Sequence, residues 1–143
     1  MSGVAIIRTL LANDAYVIET VPAERIFAGV APLKVSIPAI SITQVTGFVH
    51  KNLAMTEGRT ELVTDRVQVT VMASTYRSQK DILKLVRDAL PVTNQTIWLS
   101  DLSLECTSIL HELEGPDLFD YETSIYMQSI DYKVNYLREK RFM

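Results

Sequence analysis

Two histidines, one cysteine and a short run of carboxylates are the residues of this 143-residue chain that could carry chemistry. A metal centre gathers three or four nitrogen, sulfur or carboxylate ligands. His50 stands in a stretch without a clean period and His111 near the end of an alternating one, and neither has a second histidine at ligand spacing. A nucleophilic thiol needs a neighbouring base or positive charge. Cys106 instead alternates with Ser103, Glu105 and Thr107 beside Leu102 and Leu104, which reads as a small buried hydrophobe on a strand. Glu112, Glu114, Asp117, Asp120 and Glu122 are dense enough to invite acid–base or calcium chemistry. They lack the Asp-x-Asp-x-Asp-Gly order of a calcium loop and are broken by Gly115-Pro116, so they read as a solvated loop. The five glycines are scattered, and none builds a phosphate-binding loop. The expected catalytic, cofactor and metal residues are therefore none, and the chain is expected not to be an enzyme.

The elements that would position these groups follow from apolar periodicity. Val4, Ile7 and Leu11, widened by Ile6 and Leu10, predict an amphipathic helix over about Val4 to Ala12. Asp14 is placed to cap a second short turn, and Pro22 stops it. Arg25 to Pro38, punctuated by Gly29 and Pro32, reads as a loop. Ile40 and Ile42 alternate with Ser41 and Thr43 as a strand that Gly47 ends. Phe48 to Thr60 has no period and is longer than a hairpin needs. Val63, Val67, Val69, Val71 and Ala73 share one parity of a strong strand.

Ser78, within Ser78-Gln79-Lys80-Asp81, or Ser74 or Thr75 could cap the next helix. That helix carries Ile82, Leu83, Val86, Ala89 and Leu90 on one stripe, and Pro91 ends it. Its basic residues, Arg77, Lys80, Lys84 and Arg87, read as a solvated face. Val92 to Leu99 is ambiguous. Leu102 to His111 predicts a third strand. The last runs through Tyr126, Ile130, Tyr132, Val134 and Tyr136, with Ile125 and Met127 on the other parity, so that its start is covered on both faces or carries a bulge. Arg138 to Met143 is a short basic tail. The expected fold is α+β, an antiparallel four-stranded sheet with helices on one face, in the order α-β-β-α-β-β and as a single domain over 1–143.

Composition narrows the partners. Fourteen basic and 17 acidic residues give a net charge of −3, against the basic excess of a dedicated nucleic-acid binder. One cysteine precludes an intrachain disulfide and fits a reducing compartment. No apolar run approaches the ~20 residues that span a bilayer, and Met1 to Leu11 lacks the charged region and cleavage site of a signal peptide. Trp98 and the six tyrosines read as core or interface anchors.

Four segments, in order and spacing, resemble the tail terminator, or tail completion, proteins of long-tailed bacteriophages. The first is the N-terminal helix leading to Arg25-Ile26-Phe27-Ala28-Gly29-Val30-Ala31-Pro32. The second is Ile37-Pro38-Ala39-Ile40-Ser41-Ile42. The third is Asp65-Arg66-Val67-Gln68-Val69-Thr70-Val71, running into Ser74-Thr75-Tyr76 and a helix ending Val86-Arg87-Asp88-Ala89-Leu90. The fourth is Glu112-Leu113-Glu114-Gly115-Pro116-Asp117-Leu118-Phe119, with a terminal strand ending Ile130-Asp131-Tyr132-Lys133-Val134-Asn135-Tyr136. One departure is Tyr121-Glu122-Thr123-Ser124, where such proteins often have a glycine turn. The likeness covers about Val4 to Arg138, and no single motif in it is specific.

The resemblance implies a homo-oligomeric ring, commonly of six subunits, on the head-proximal end of the tail in the virion, assembled in the host cytoplasm. It stops tube polymerisation and joins the tail to the head. The implied partners are other copies of the chain, the tail tube protein and a head completion or connector protein. Genome DNA passes through the lumen without specific binding, and there is no membrane and no cofactor. The expected assembly interface is the aperiodic segment, through Phe48, Val49, Leu53, Met55 and Arg59. The alternatives are a neck or head–tail connector protein and, from another class, a small ligand- or metal-binding domain using the acidic segment.

Overall fold

The structure, a computed structural model, describes residues 2–32, 34–50, 60–90, 97–99 and 104–139. Its elements are α1 (Ser2–Ala12), α2 (Ala15–Thr20), a 3-10 turn (Ala23–Arg25), β1 (Ile26–Ala28), β2 (Ala39–Val49), β3 (Thr60–Ala73), α3 (Tyr76–Ala89), β4 (Ile97–Leu99), β5 (Leu104–Glu114), β6 (Leu118–Asp120) and β7 (Ile125–Glu139). The first helix follows its apolar stripe, and Asp14 caps α2, its Oδ1 accepting from the N–H groups of Tyr16 at 3.0 Å and Val17 at 3.1 Å. Of the three possible caps for α3, Thr75 is the one used: its hydroxyl accepts from the Ser78 N–H at 3.1 Å.

The expected four-stranded antiparallel sheet is overturned. Seven strands form one mixed sheet, six of them in the order β1-β2-β3-β7-β5-β4, with β6 paired to β7. The pair β1–β2 is parallel, with Ile26 opposite Ile40 and Ala28 opposite Ile42. Strand, rather than helix, dominates the described chain. The extra strands are three residues each, too short to show an alternation. The stretch read as a loop from Arg25 to Pro38 contains β1, which is held by side chains rather than by its own pattern. Arg8 of α1 donates from Nε to the Ile26 carbonyl at 2.9 Å and from Nη2 to the Ala23 carbonyl at 3.2 Å. The Ser41 hydroxyl donates to the Gly29 carbonyl at 2.7 Å.

Gly47 does not end β2. The strand continues to Val49, with a bulge between Gln44 and Thr46, and pairs with β3 as far as Val49–Val63. The register of β3 on β7 is unbroken from Ala73–Tyr126 to Thr60–Glu139, so the bulge considered at the start of the last strand is absent on that side. The other edge of that strand pairs there with β6, Leu118 opposite Met127 and Asp120 opposite Ile125, and Ile125, Tyr126 and Met127 are all half-buried, so both faces of its start are partly covered. Bulges fall on β5, between Cys106 and Ser108 and between His111 and Leu113. Of the expected third strand, Leu102 lies outside the described residues. Of the basic tail, Arg138 belongs to β7 and residues 140–143 lie outside.

One face of the central strands, carrying Val67, Val69, Ile130, Tyr132 and Val134, forms a core with Ile7 and Leu11 of α1 and Ile82, Leu83 and Val86 of α3. Between Val63 and Val67 that face also carries Asp65, only 2% exposed. Its Oδ2 accepts from the Gly3 N–H at 3.0 Å and from the Tyr136 hydroxyl at 2.9 Å. The first N–H groups of a helix have no partner within it, and the positive end of the helix favours a carboxylate there. A Cβ on Gly3 would stand 2.7 Å from both Cβ and Oδ2 of Asp65 and 3.1 Å from Val67 Cγ2. Glycine is what lets α1 come this close.

Two substitutions test this contact by urea denaturation. Gly3→Ala should raise helix propensity yet lower stability, by about 1–3 kcal/mol, because overpacking outweighs the gain. Asp65→Ala should cost about 2–3 kcal/mol by leaving buried donors without their acceptor. Gly115→Ala, whose new Cβ would meet only ordinary contacts of 3.5 and 3.9 Å, should be nearly silent. A neutral Gly3→Ala would remove the close approach from the account.

Candidate assembly surfaces

Each residue singled out for chemistry has a defined setting. Cys106 is fully buried on β5. Burial pushes its thiol up from the ordinary 9.0 to about 11. His50 follows β2, and its Nε2 shares a hydrogen bond of 2.8 Å with the Thr64 hydroxyl. The His111 ring lies against Tyr132, with centroids 5.6 Å apart, and its Nε2 is 3.9 Å from Glu114 Oε1. Among the described residues no three His, Cys, Asp or Glu side chains gather closely enough to hold a metal ion. No described helix is long and apolar enough to cross a membrane.

The acidic run is not one loop. Glu112 and Glu114 end β5, Asp120 ends β6, and several of the carboxylates meet cations on other elements. Arg87 binds Glu114 at 2.8 Å, Lys80 binds Asp117 at 2.6 Å and Lys133 reaches Glu112 at 3.4 Å. Arg87 and Lys80 belong to the helix face read as solvated, so these pairs tie the edge of α3 to the segment after β5. The hydrogen bond from Lys80 lowers the Asp117 carboxyl below its usual range, and the same bond raises Lys80. The Tyr76 hydroxyl also donates to Asp117, at 2.9 Å.

The second face of the sheet is polar and internally bonded. Thr64 donates to Asn135 Oδ1, whose amide donates to the Ser108 hydroxyl at 2.7 Å, so a chain of hydrogen bonds runs from His50 across β3 and β7 to β5. Arg66 closes on Asp131 Oδ2 at 2.7 Å, and Thr70 meets Ser129 at 2.8 Å. Phe48, His50, Arg66 and Lys133 line an open groove of about 490 Å³ on this face. Arg66 and Lys133 each have a carboxylate partner, which leaves the groove no strong excess of positive charge.

Of the expected interface residues, Phe48 is 62% exposed at the end of β2, edge-on to His50 at 5.0 Å. Val49 packs partly against the core. Leu53, Met55 and Arg59 lie outside the described residues. The reading of Phe48 and Val49 as irregular is corrected: both are strand, because β3 offers partners beyond the bulge. Several other exposed apolar side chains were not among the expected interface residues. Val45 and Leu113 lie on β2 and β5, Leu118 opens β6 and Tyr121 lies in the β6–β7 turn. Around that turn Phe119 meets Tyr121 edge-on at 4.9 Å and Tyr126 at a tilt at 4.6 Å, and Tyr126 meets Tyr76 edge-on at 6.1 Å. Trp98, read as an anchor, is 63% exposed on β4. Exposed aromatics at strand margins are the composition of contact surfaces.

No family model and no curated protein matches the chain. A solved structure does: a chain of the virion of a native gene transfer agent particle superposes with a TM-score of 0.64. The match covers 94% of each chain at 10% identity. The two chains share a fold. At that identity the shared property is the arrangement of strands and helices, and the match extends from end to end rather than through one motif.

The buried thiol yields a prediction with a definite sign. Its folded value lies above its unfolded one, so its contribution to stability is complete below about pH 9 and is lost as pH rises towards 11. Tyr132, raised by burial from 10.0 to about 12, acts in the same sense slightly higher. The urea midpoint should therefore fall between pH 8 and pH 11, and Cys106→Ala should flatten the lower part of that fall while costing about 1 kcal/mol at neutral pH. At pH 8 a thiol reagent should modify Cys106 only after unfolding; rapid labelling of the native chain would contradict its burial.

Proposed function

We propose that this chain is a structural virion protein that forms a ring on the head-proximal end of a phage tail tube. There it ends tube polymerisation and offers a surface to the head completion or connector protein. The observation that carries the reading is the end-to-end likeness in fold to a chain of a virion particle. The four segments that resemble tail terminator proteins narrow the role from virion component to tail end.

The physical properties agree with a building block. Ring formation places one patch of a subunit against a different patch of the next. The exposed side chains at the sheet margins, Val45, Phe48, Trp98 and Leu113, gain little for a monomer and would be covered by neighbours. The side chains that could do chemistry are committed elsewhere: the thiol is buried and protonated, and Glu112, Glu114 and Asp117 are ion-paired. DNA needs only to slide past such a ring. The net charge of −3 and the paired Arg66 and Lys133 avoid holding phosphates. Phe48, with Val49, Leu53, Met55 and Arg59, is the proposed contact to the tube or the adjacent subunit.

A tube-length assay tests the reading. Tube protein polymerised with this chain should give tubes of fixed, capped length, and without it overlong tubes. The variant carrying Phe48→Ser, Leu53→Ser and Met55→Ser should keep its circular dichroism spectrum and lose capping. Uncapped tubes in the presence of the wild-type chain, with the chain bound to the portal side instead, would replace the tail-end reading with that of a neck protein.

A further inference from the structure

The sheet ends in two edges that its own terminal strands cover only in part. On one side, β1 pairs with Ile40 to Ile42, and among the described residues no strand pairs with the outer edge of β2 over Val45 to Phe48. On the other side, β4 pairs with Leu104 to Cys106, and no described strand pairs with the outer edge of β5 from Thr107 to Glu114. An open row of backbone N–H and C=O groups recruits another strand unless charge, proline or a covering element prevents it. The stretch Val45-Thr46-Gly47-Phe48 has neither charge nor proline, and Val45 and Phe48 are 48% and 62% exposed. The opposite edge exposes Leu113, and its two carboxylates, Glu112 and Glu114, are held by Lys133 and Arg87.

We infer that these two edges are one interface: the outer edge of β2 in one copy pairs with the outer edge of β5 in the next. The inference rests on the ring proposed above and names the contact that closes it. Strand polarity fits this contact. Each of the steps β2–β3, β3–β7 and β7–β5 is antiparallel, so β2 and β5 run in opposite directions. Rotation about an axis along the strands leaves their directions unchanged. A rotated copy therefore brings its β2 antiparallel to β5 of its neighbour, and the ladder continues from subunit to subunit. The pairing is between different surfaces, so it leaves one free β2 edge and one free β5 edge until the ring closes. The bulges at Gln44–Thr46, Cys106–Ser108 and His111–Leu113 lie on these same two strands. Bulges add twist and bend, which a sheet carried around a ring requires. The three-residue lengths of β1 and β4 leave the C-terminal part of each edge unpaired among the described residues and open to the neighbour.

Backbone amide exchange followed by mass spectrometry tests the ladder, with native mass spectrometry on the same samples for oligomeric state. When the full chain assembles, alone or on tubes, peptides over 43–49 and over 107–114 should both slow by about tenfold or more. Peptides from the centre of β3, already paired on both sides, should not change. The variant carrying Val45→Lys and Phe48→Lys places two charges on an exposed edge; it should keep the monomer's spectrum and lose the ring. A chain that stays monomeric on finished tails would sink the ring itself. Rings in which both edges exchange as in the monomer, or rings of normal mass from the lysine variant, would overturn the edge pairing and leave the ring standing. Protection of the β2 edge alone, with dimers as the end state, would overturn it in favour of two-fold pairing.

Discussion

Asp65 lies among valines on the core side of β3 and takes hydrogen bonds from the first turn of α1 and from the Tyr136 hydroxyl on β7. Much of the fold depends on that meeting of three elements. A carboxylate this deep needs donors, and the unpaired N–H of a helix end is one that apolar surroundings can supply. Gly3 makes the approach possible, because a Cβ at that position would overlap the carboxylate it serves. Once α1 is seated, Arg8 reaches the carbonyls of Ala23 and Ile26, which sets β1 beside β2 in the parallel sense. The parallel pair thus follows from the docking of the helix more than from any strand pattern in β1.

The same division of labour separates what is rigid from what is left for partners. Side chains on the core face are packed, and those on the opposite face bond to one another from His50, just past β2, through Thr64 on β3 and Asn135 on β7 to Ser108 on β5. The helix α3 is buried along one stripe and held at its margin through Lys80 and Arg87. Among the described residues, exposed apolar side chains lie at the ends of β2 and β5, at Trp98 on β4 and around the turn between β6 and β7, and also at Tyr16 and Ile18 of α2 and at Val30 after β1. The apolar margins are the surfaces that the proposed ring would cover.

Legibility in the sequence followed the length of the pattern. The helices α1 and α3 and the strands β3 and β7 have stripes or alternations long enough to be read directly, and Asp14 and Thr75 cap as their types suggest. The strands β1, β4 and β6 are three residues each and show no period, so the sheet reads as four strands when it has seven. Gly47 looks like a stop but is carried through by pairing with Asp65 after a bulge, a tertiary effect that no local signal reports. Asp65 was visible as an acidic residue at an apolar parity, between Val63 and Val67; that mismatch is the signal of a buried charge with a partner. The carboxylates from Glu112 onwards read as a solvated loop because their cations lie far away in sequence, on α3 and β7. Of the proposed interface residues only Phe48 and Val49 fall within the described residues, and they differ: one is exposed and the other is half-buried against the core.

In the proposed assembly this fold serves as one subunit of a ring at the end of a tail. Electron cryomicroscopy of finished tails, with this chain carrying a small fused marker, addresses it most directly. A closed ring of marked subunits is expected at the head-proximal end, coaxial with the tube and open at its centre. Marker density spread along the tube, or found only on the portal side of the neck, would contradict it.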